Sequence, residues 1–149
     1  GYGNAGSYEG YCSGGGIAAL AERMASKLPE TPACIADMGG YGNVTTKKLA
    51  QAARAGDDFA KKVFAASGAR LGRGLAVLVD ILNPEAIVLG GVFMRSSDLL
   101  VPAMEKTLVR EALTESLRVC RVLPAELKEN IGDYAALAVA ESYAQGDIQ

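Results

Sequence analysis

A helical stripe that runs directly into a short apolar strand restricts the fold of this chain more than any other feature. Leu71, Leu75, Leu78, Val79 and Leu82 recur at the spacing of one helix face, and Asn83-Pro84 stops the run. The sequence then reads Ala86-Ile87-Val88-Leu89, a continuously apolar stretch bounded by Pro84 and Gly90. A strand without polar alternation belongs in a sheet covered on both faces. Gly90-Gly91 supplies its exit turn. Helix, proline stop, buried strand and glycine turn together predict an α/β protein.

The flanking segments extend that pattern. Ile17, Leu20, Ala21 and Met24 predict a helix from about Ser13 to Lys27, ended by Pro29 and Pro32. Thr45 reads as the N-cap of a helix running to about Ala55, with a hydrophobic staple from Val44 to Leu49. Gly56 ends that helix and Asp57 caps the long one. Leu100, Met104 and Leu108 mark a further helix, and Val119 to Leu123 a second strand. Ala136, Val139, Ala140 and Tyr143 mark a terminal helix opened by Gly132 with Asp133 as N-cap. Gly68, Gly72 and Gly74 read as places where a neighbouring element approaches closely.

Composition excludes several classes. Of 149 residues half are hydrophobic, enough for one core without a dividing linker. The formal charge of -2 is spread without a basic stripe, so no nucleic-acid partner is expected through this segment. The apolar runs are too short or too interrupted to span a bilayer. Three cysteines without paired spacing predict neither a disulfide framework nor a Cys zinc site, and a cytoplasmic setting is expected. With no histidine, a His base and a Ser/His/Asp triad are excluded within these residues. Gly1 stands where an initiator Met would be and no signal-peptide pattern follows, so the N-terminus is expected to be a cut edge.

Two glycine clusters mimic nucleotide loops. Gly1-Tyr2-Gly3-Asn4-Ala5-Gly6 lacks the strand that must precede a dinucleotide loop. Asp37-Met38-Gly39-Gly40 follows two prolines and puts Tyr41 where a hydroxyl residue is wanted, so it reads as a surface turn.

Three separated blocks carry a family resemblance. Gly3, Gly6, Glu9, Ser13 and Gly14 match the end of the signature C-x-C-G-x-x-G-C-x-E followed by x-x-x-S-G. Arg54-Ala55-Gly56-Asp57, Leu71-Gly72, Asn83-Pro84 and Gly90-Gly91 fall at the spacings of the same family's long helix and glycine turn, and Ile131 to Ala140 is similar to its closing helix. The chain thus resembles the ROK family (repressor, open reading frame, kinase), specifically the C-terminal lobe of its glucokinase-type sugar kinases.

The resemblance implies a helix-rich α/β lobe of the actin-like ATPase (ribonuclease H-like) type, truncated by loss of the N-terminal lobe. The parent would transfer the γ-phosphoryl group of ATP to a hexose with magnesium, and a homo-oligomer is expected. In that frame Glu9 would accept hydrogen bonds from hexose hydroxyls, while Gly90, Gly91 and Val92 would approach the nucleotide. A glycine turn leaving a strand end is also where an open α/β sheet presents backbone to ligands. Ser13 reads as an N-cap. Tyr2 and Ser7 occupy the two clearest positions of the family's zinc-binding cysteines, so zinc is not expected. The family's Glu-x-Gly-His motif, phosphate loop and catalytic Asp are expected upstream of Gly1, which would leave this chain alone silent and binding no cofactor tightly. The same family includes sugar-responsive repressors, and a dimerisation module is a third possibility; fold does not separate them.

Overall fold

A computed structural model of the chain describes residues 6–127 and 130–146, apart from the side chain of residue 131. The elements in chain order are α1 (Glu9–Cys12), α2 (Gly14–Ala25), α3 (Ala33–Asp37), α4 (Thr46–Arg54), α5 (Asp58–Leu82), β1 (Ala86–Leu89), α6 (Val92–Glu111), α7 (Thr114–Val119), β2 (Arg121–Pro124) and α8 (Ile131–Gln145). Three helix starts follow the predicted chemistry. Ser13 accepts the Gly16 amide at 3.0 Å, Thr45 the Lys48 amide at 3.3 Å and Asp57 the Ala60 amide at 2.7 Å. Each side-chain oxygen satisfies an amide that the helix itself leaves unpaired.

The core is built around α5. Phe64, Val63, Leu75 and Val79 are fully or almost fully buried with Ile17 of α2, Ile35 of α3, Leu49 of α4 and Leu100 and Met104 of α6. α5 and α6 form the most extensive helix pair, and glycine permits it. A Cβ on Gly68 would run into the Leu100 carbonyl, and one on Gly72 would lie 3.0 Å from Thr107 Cβ besides striking the Met104 carbonyl. Gly74 gives its space to the ring of Tyr8. All three glycines therefore serve close packing.

Among the described residues the sheet has two parallel strands, β1 and β2, with Ala86 opposite Arg121 and Leu89 opposite Pro124. Parallel strands need a crossover, which α6 and α7 provide. The expectation of a strand covered on both faces does not hold. Val88 is 62% exposed and its register partner Leu123 is also exposed, because no described element packs on that side. Leu78 and Leu82 of the expected buried stripe are exposed too. They share the face of α5 that carries Leu71 and Leu75, but stand nearer its C-terminal end and are left uncovered there.

Three further features differ from expectation. Val119 ends α7 instead of opening β2, and α1 and α3 are additional short helices. The N-cap of α8 is Asn130, so Asp133 lies within the first turn, where its charge favours the helix dipole. The apolar side chains expected to bury α8, including Val139 and Tyr143, are exposed. No helix is long and apolar enough to cross a membrane among the described residues.

Candidate functional site

Two places collect the residues singled out by sequence. The first is α1. Ser7 Oγ accepts the Gly10 amide at 3.2 Å and steadies the first turn, in which Glu9 is exposed. Glu9 thus lies on a helical turn. The helix is pinned to α5 from both sides of Glu9. Tyr8 packs on Gly74 and donates its hydroxyl to the Leu71 carbonyl at 3.3 Å, while the buried Ser67 hydroxyl donates to the Tyr11 carbonyl at 2.8 Å. The guanidinium groups of Arg70 and Arg23 lie 5.0 and 5.6 Å from the centre of the Tyr11 ring, within cation–π range. Gly16 completes the seat, since a Cβ there would meet the Gly10 carbonyl oxygen at 2.8 Å. Burial raises the Tyr8 phenol well above its usual value, with the nearby Cys12 adding to the shift, so Tyr8 stays a hydrogen-bond donor.

The second place begins where β1 ends. Gly91 adopts φ 60°, ψ −129°, and a Cβ there would meet nothing within 4 Å. The positive φ, not crowding, is what favours glycine. Gly90 has an ordinary φ, and a Cβ there would make ordinary van der Waals contact with Ala125. The chain then enters α6 through Val92. A cleft of about 570 Å³ opens between Gly14 of α2, Thr46, Lys47, Gln51 and Arg54 of α4, and Val92, Arg95 and Ser96 of α6. Thr46 donates its hydroxyl to the Gly14 carbonyl and ties α4 to α2 at the floor of this cleft. Its lining carries Lys47, Arg95 and Arg54, the last paired with Asp98 outside the lining, and no carboxylate. That charge suits an anionic ligand and offers nothing to hold magnesium.

The structure brings Val92 to the cleft with Gly91 next to it, and leaves Glu9 on the neighbouring α1–α2 corner. Sequence reasoning missed Thr46, Lys47, Arg54 and Arg95 as cleft residues. The pair Thr46-Lys47, directly after the Thr45 cap, is the one local signal of these residues in the sequence. Among the described residues no three Cys, Asp or Glu side chains converge as a metal site. Ser7, at one of the zinc-ligand positions, uses its oxygen on the Gly10 amide, and Tyr2 lies outside the described residues. Asp37 ends α3, and the Met38–Tyr41 segment after it is a turn in which Gly39 and Gly40 have positive φ.

The sequence profile of the ROK family matches residues 1–142. The chain belongs to the ROK family. It is 33% identical over 104 residues to a glucokinase of Halalkalibacterium halodurans, a match covering 70% of this chain and 31% of that protein. It is 36% identical over 70 residues to the DNA-binding transcriptional repressor Mlc of Escherichia coli K12, covering 47% of this chain and 17% of the repressor. The structure of a ROK family glucokinase from Streptomyces griseus, in complex with glucose and AMPPNP, superposes with a TM-score of 0.70 at 28% identity, covering 86% of this chain and 42% of the other. The ROK chain thus spans less than half the length of each of these relatives. Its helix-rich α/β fold is similar to that of the ROK sugar kinases, an actin-like ATPase fold. Its relatives include both glucokinases and repressors.

Proposed function

We propose that this chain is the C-terminal lobe of an ATP-dependent, glucokinase-like hexose kinase, contributing Glu9 to the sugar site and Gly90, Gly91 and Val92 to the nucleotide pocket. The observation that carries the reading is the Gly91 turn at a strand end, opening beside a cleft lined by Lys47, Arg54 and Arg95. Ligands of open α/β sheets bind outside the carboxyl ends of strands, and helix starts favour anions.

Phosphoryl transfer depends on positioning and on offsetting charge. Glu9 accepts hydroxyl hydrogens and orients the sugar. The bare backbone at Gly91 lets the ribose or base approach, and Lys47 and Arg95 of the cleft offset phosphate charge. Magnesium, when bound with ATP, would supply charge neutralisation for the transferring phosphoryl group, and no cluster among the described residues would hold it. The catalytic base and the phosphate loop are assigned to the other lobe, so this chain alone transfers no phosphoryl group.

The match to Mlc favours a second reading, the effector-binding and dimerisation part of a sugar-responsive repressor. The full coding frame tests both. A phosphate loop with a catalytic Asp, together with ATP-dependent phosphorylation of glucose by the full-length protein, supports the kinase. A winged-helix segment with no turnover replaces it by the repressor.

A further inference from the structure

We propose that Arg54 is a positioning residue for the nucleotide cleft, holding the first turn of α6 at the angle the cleft requires; this rests on the nucleotide reading above. α6 is not one continuous helix. Val92–Arg95 forms a first turn, and Ser96, 2% exposed, then adopts φ −141°, ψ 23° before the helix resumes. Such a break interrupts the hydrogen-bond ladder, and the carbonyls beside it need other partners.

Arg54, the last residue of α4, spans the break. Its Nη2 donates to the Arg95 carbonyl at 2.8 Å, on the near side. On the far side, Nε and Nη2 donate to Asp98 Oδ2 and Oδ1 at 2.8 and 2.7 Å. One planar group therefore grips both segments of α6. A bidentate, charge-assisted fork fixes direction as well as distance, which a lysine cannot do. Gly56, at φ 108°, and the Asp57 cap set the other side of this anchor, because they end α4 and start α5 immediately after it.

The cleft supplies the consequence. Val92, Arg95 and Ser96 line it, so the angle between the first turn and the helix body sets where these side chains stand. Arg54 lines it as well, but Asp98 does not. The Arg54 and Asp98 side chains are 45% and 53% exposed, and ion pairs so exposed contribute little to global stability. A geometric role can therefore be separated from a structural one.

The test is calorimetry of the full-length protein with AMPPNP and magnesium, and separately with glucose. Arg54→Ala and Asp98→Ala should each weaken AMPPNP binding by roughly fivefold to thirtyfold, with the double variant no worse than the poorer single and glucose affinity unchanged. Arg54→Lys should show a smaller loss in the same direction, with backbone amide NMR shifts confined to residues 91–98, and it decides the matter if Arg54→Ala does not fold. Loss in Arg54→Ala with wild-type affinity in Asp98→Ala would mean that Arg54 touches the nucleotide directly, and would overturn the proposal. Independent, additive losses or unchanged binding in both variants would also overturn it. A wild-type protein that binds glucose and no AMPPNP would instead remove the nucleotide reading itself, and this inference with it.

Discussion

The carbonyl oxygen of Met104 stands where a Cβ on Gly72 would be, so the backbones of α5 and α6 meet without a side chain between them. Four residues earlier the Leu100 carbonyl stands in the same way against Gly68. Tyr8 against Gly74 is a different contact, since the obstacle is a half-exposed ring and not backbone.

That difference gives opposite expectations for one substitution type. Alanine gains about 1 kcal/mol over glycine in a helix, whereas overpacking costs about 1–3 kcal/mol. Gly72→Ala should therefore destabilise by up to about 2 kcal/mol, because a backbone carbonyl cannot rotate away. Gly74→Ala should leave stability near the wild-type value while displacing Tyr8. Urea denaturation of the two variants checks the order, and a less stable Gly74→Ala would contradict the packing described.

The candidate half-sites are separable in the full-length protein. Glu9→Ala removes a charged acceptor and should weaken hexose binding by about 1.5–3 kcal/mol, roughly tenfold to a hundredfold, with nucleotide affinity little changed. Gly91→Val puts a β-branched side chain on a residue at φ 60° and should weaken ATP binding while hexose binding persists. Calorimetry with each ligand, on variants whose circular dichroism is native, checks the crossed pattern. Intact hexose affinity in Glu9→Ala would remove Glu9 from the sugar site.

These two residues also mark what the sequence can and cannot disclose. The turn at Gly91 was legible because a proline stop, an apolar run and a glycine pair are local signals. Periodicity likewise located α5, but it reports which face is apolar and not what covers it. Leu78, Leu82 and Val88 are exposed for that reason, and so are Val139 and Tyr143 of α8. α1 was hidden because a four-residue helix among glycines has no periodicity to show. The Arg54–Asp98 pair joins residues 44 apart in sequence, and nothing local announces it.

Acid should release that pair late. The Arg54 hydrogen bonds hold the Asp98 carboxyl below the usual carboxylate range, outweighing its partial burial. A depressed folded-state pKa contributes stability above the unfolded value near 3.9, and that contribution is lost as pH falls through the folded value. The stability difference between wild type and Asp98→Ala should therefore be constant from about pH 8 to 5 and shrink below about pH 4. Because both partners are half-exposed, the difference should be only about 0.5 kcal/mol. Urea midpoints across this range check it, and a difference that vanished by pH 6 would exclude the clamp as its source.

Cys34 and Asp57 couple a thiol to a helix cap. Burial pushes the Cys34 thiol up to about 11, and a hydrogen bond to Asp57 and the Asp57 charge raise it further within that value. The same Asp57 carboxylate accepts the Ala60 amide at 2.7 Å at the start of α5. With the folded pKa raised above the unfolded value near 8.5, the folded chain keeps its proton longer, so this contribution is full below about pH 8.5 and lost as pH rises through the folded value. Asp57→Asn keeps an oxygen for the cap and removes the charge, so the pH midpoint for alkylation of Cys34 should fall toward the usual thiol range without reaching it, burial being the larger cause. Asp57→Ala loses the cap as well and should cost about 1 kcal/mol of stability. Iodoacetamide labelling at Cys34, followed by mass spectrometry from pH 7 to 11 beside urea denaturation, separates the two effects. An unchanged midpoint in Asp57→Asn would mean that burial alone sets the thiol, and an Asp57→Ala variant as stable as wild type would mean that the cap contributes nothing to α5.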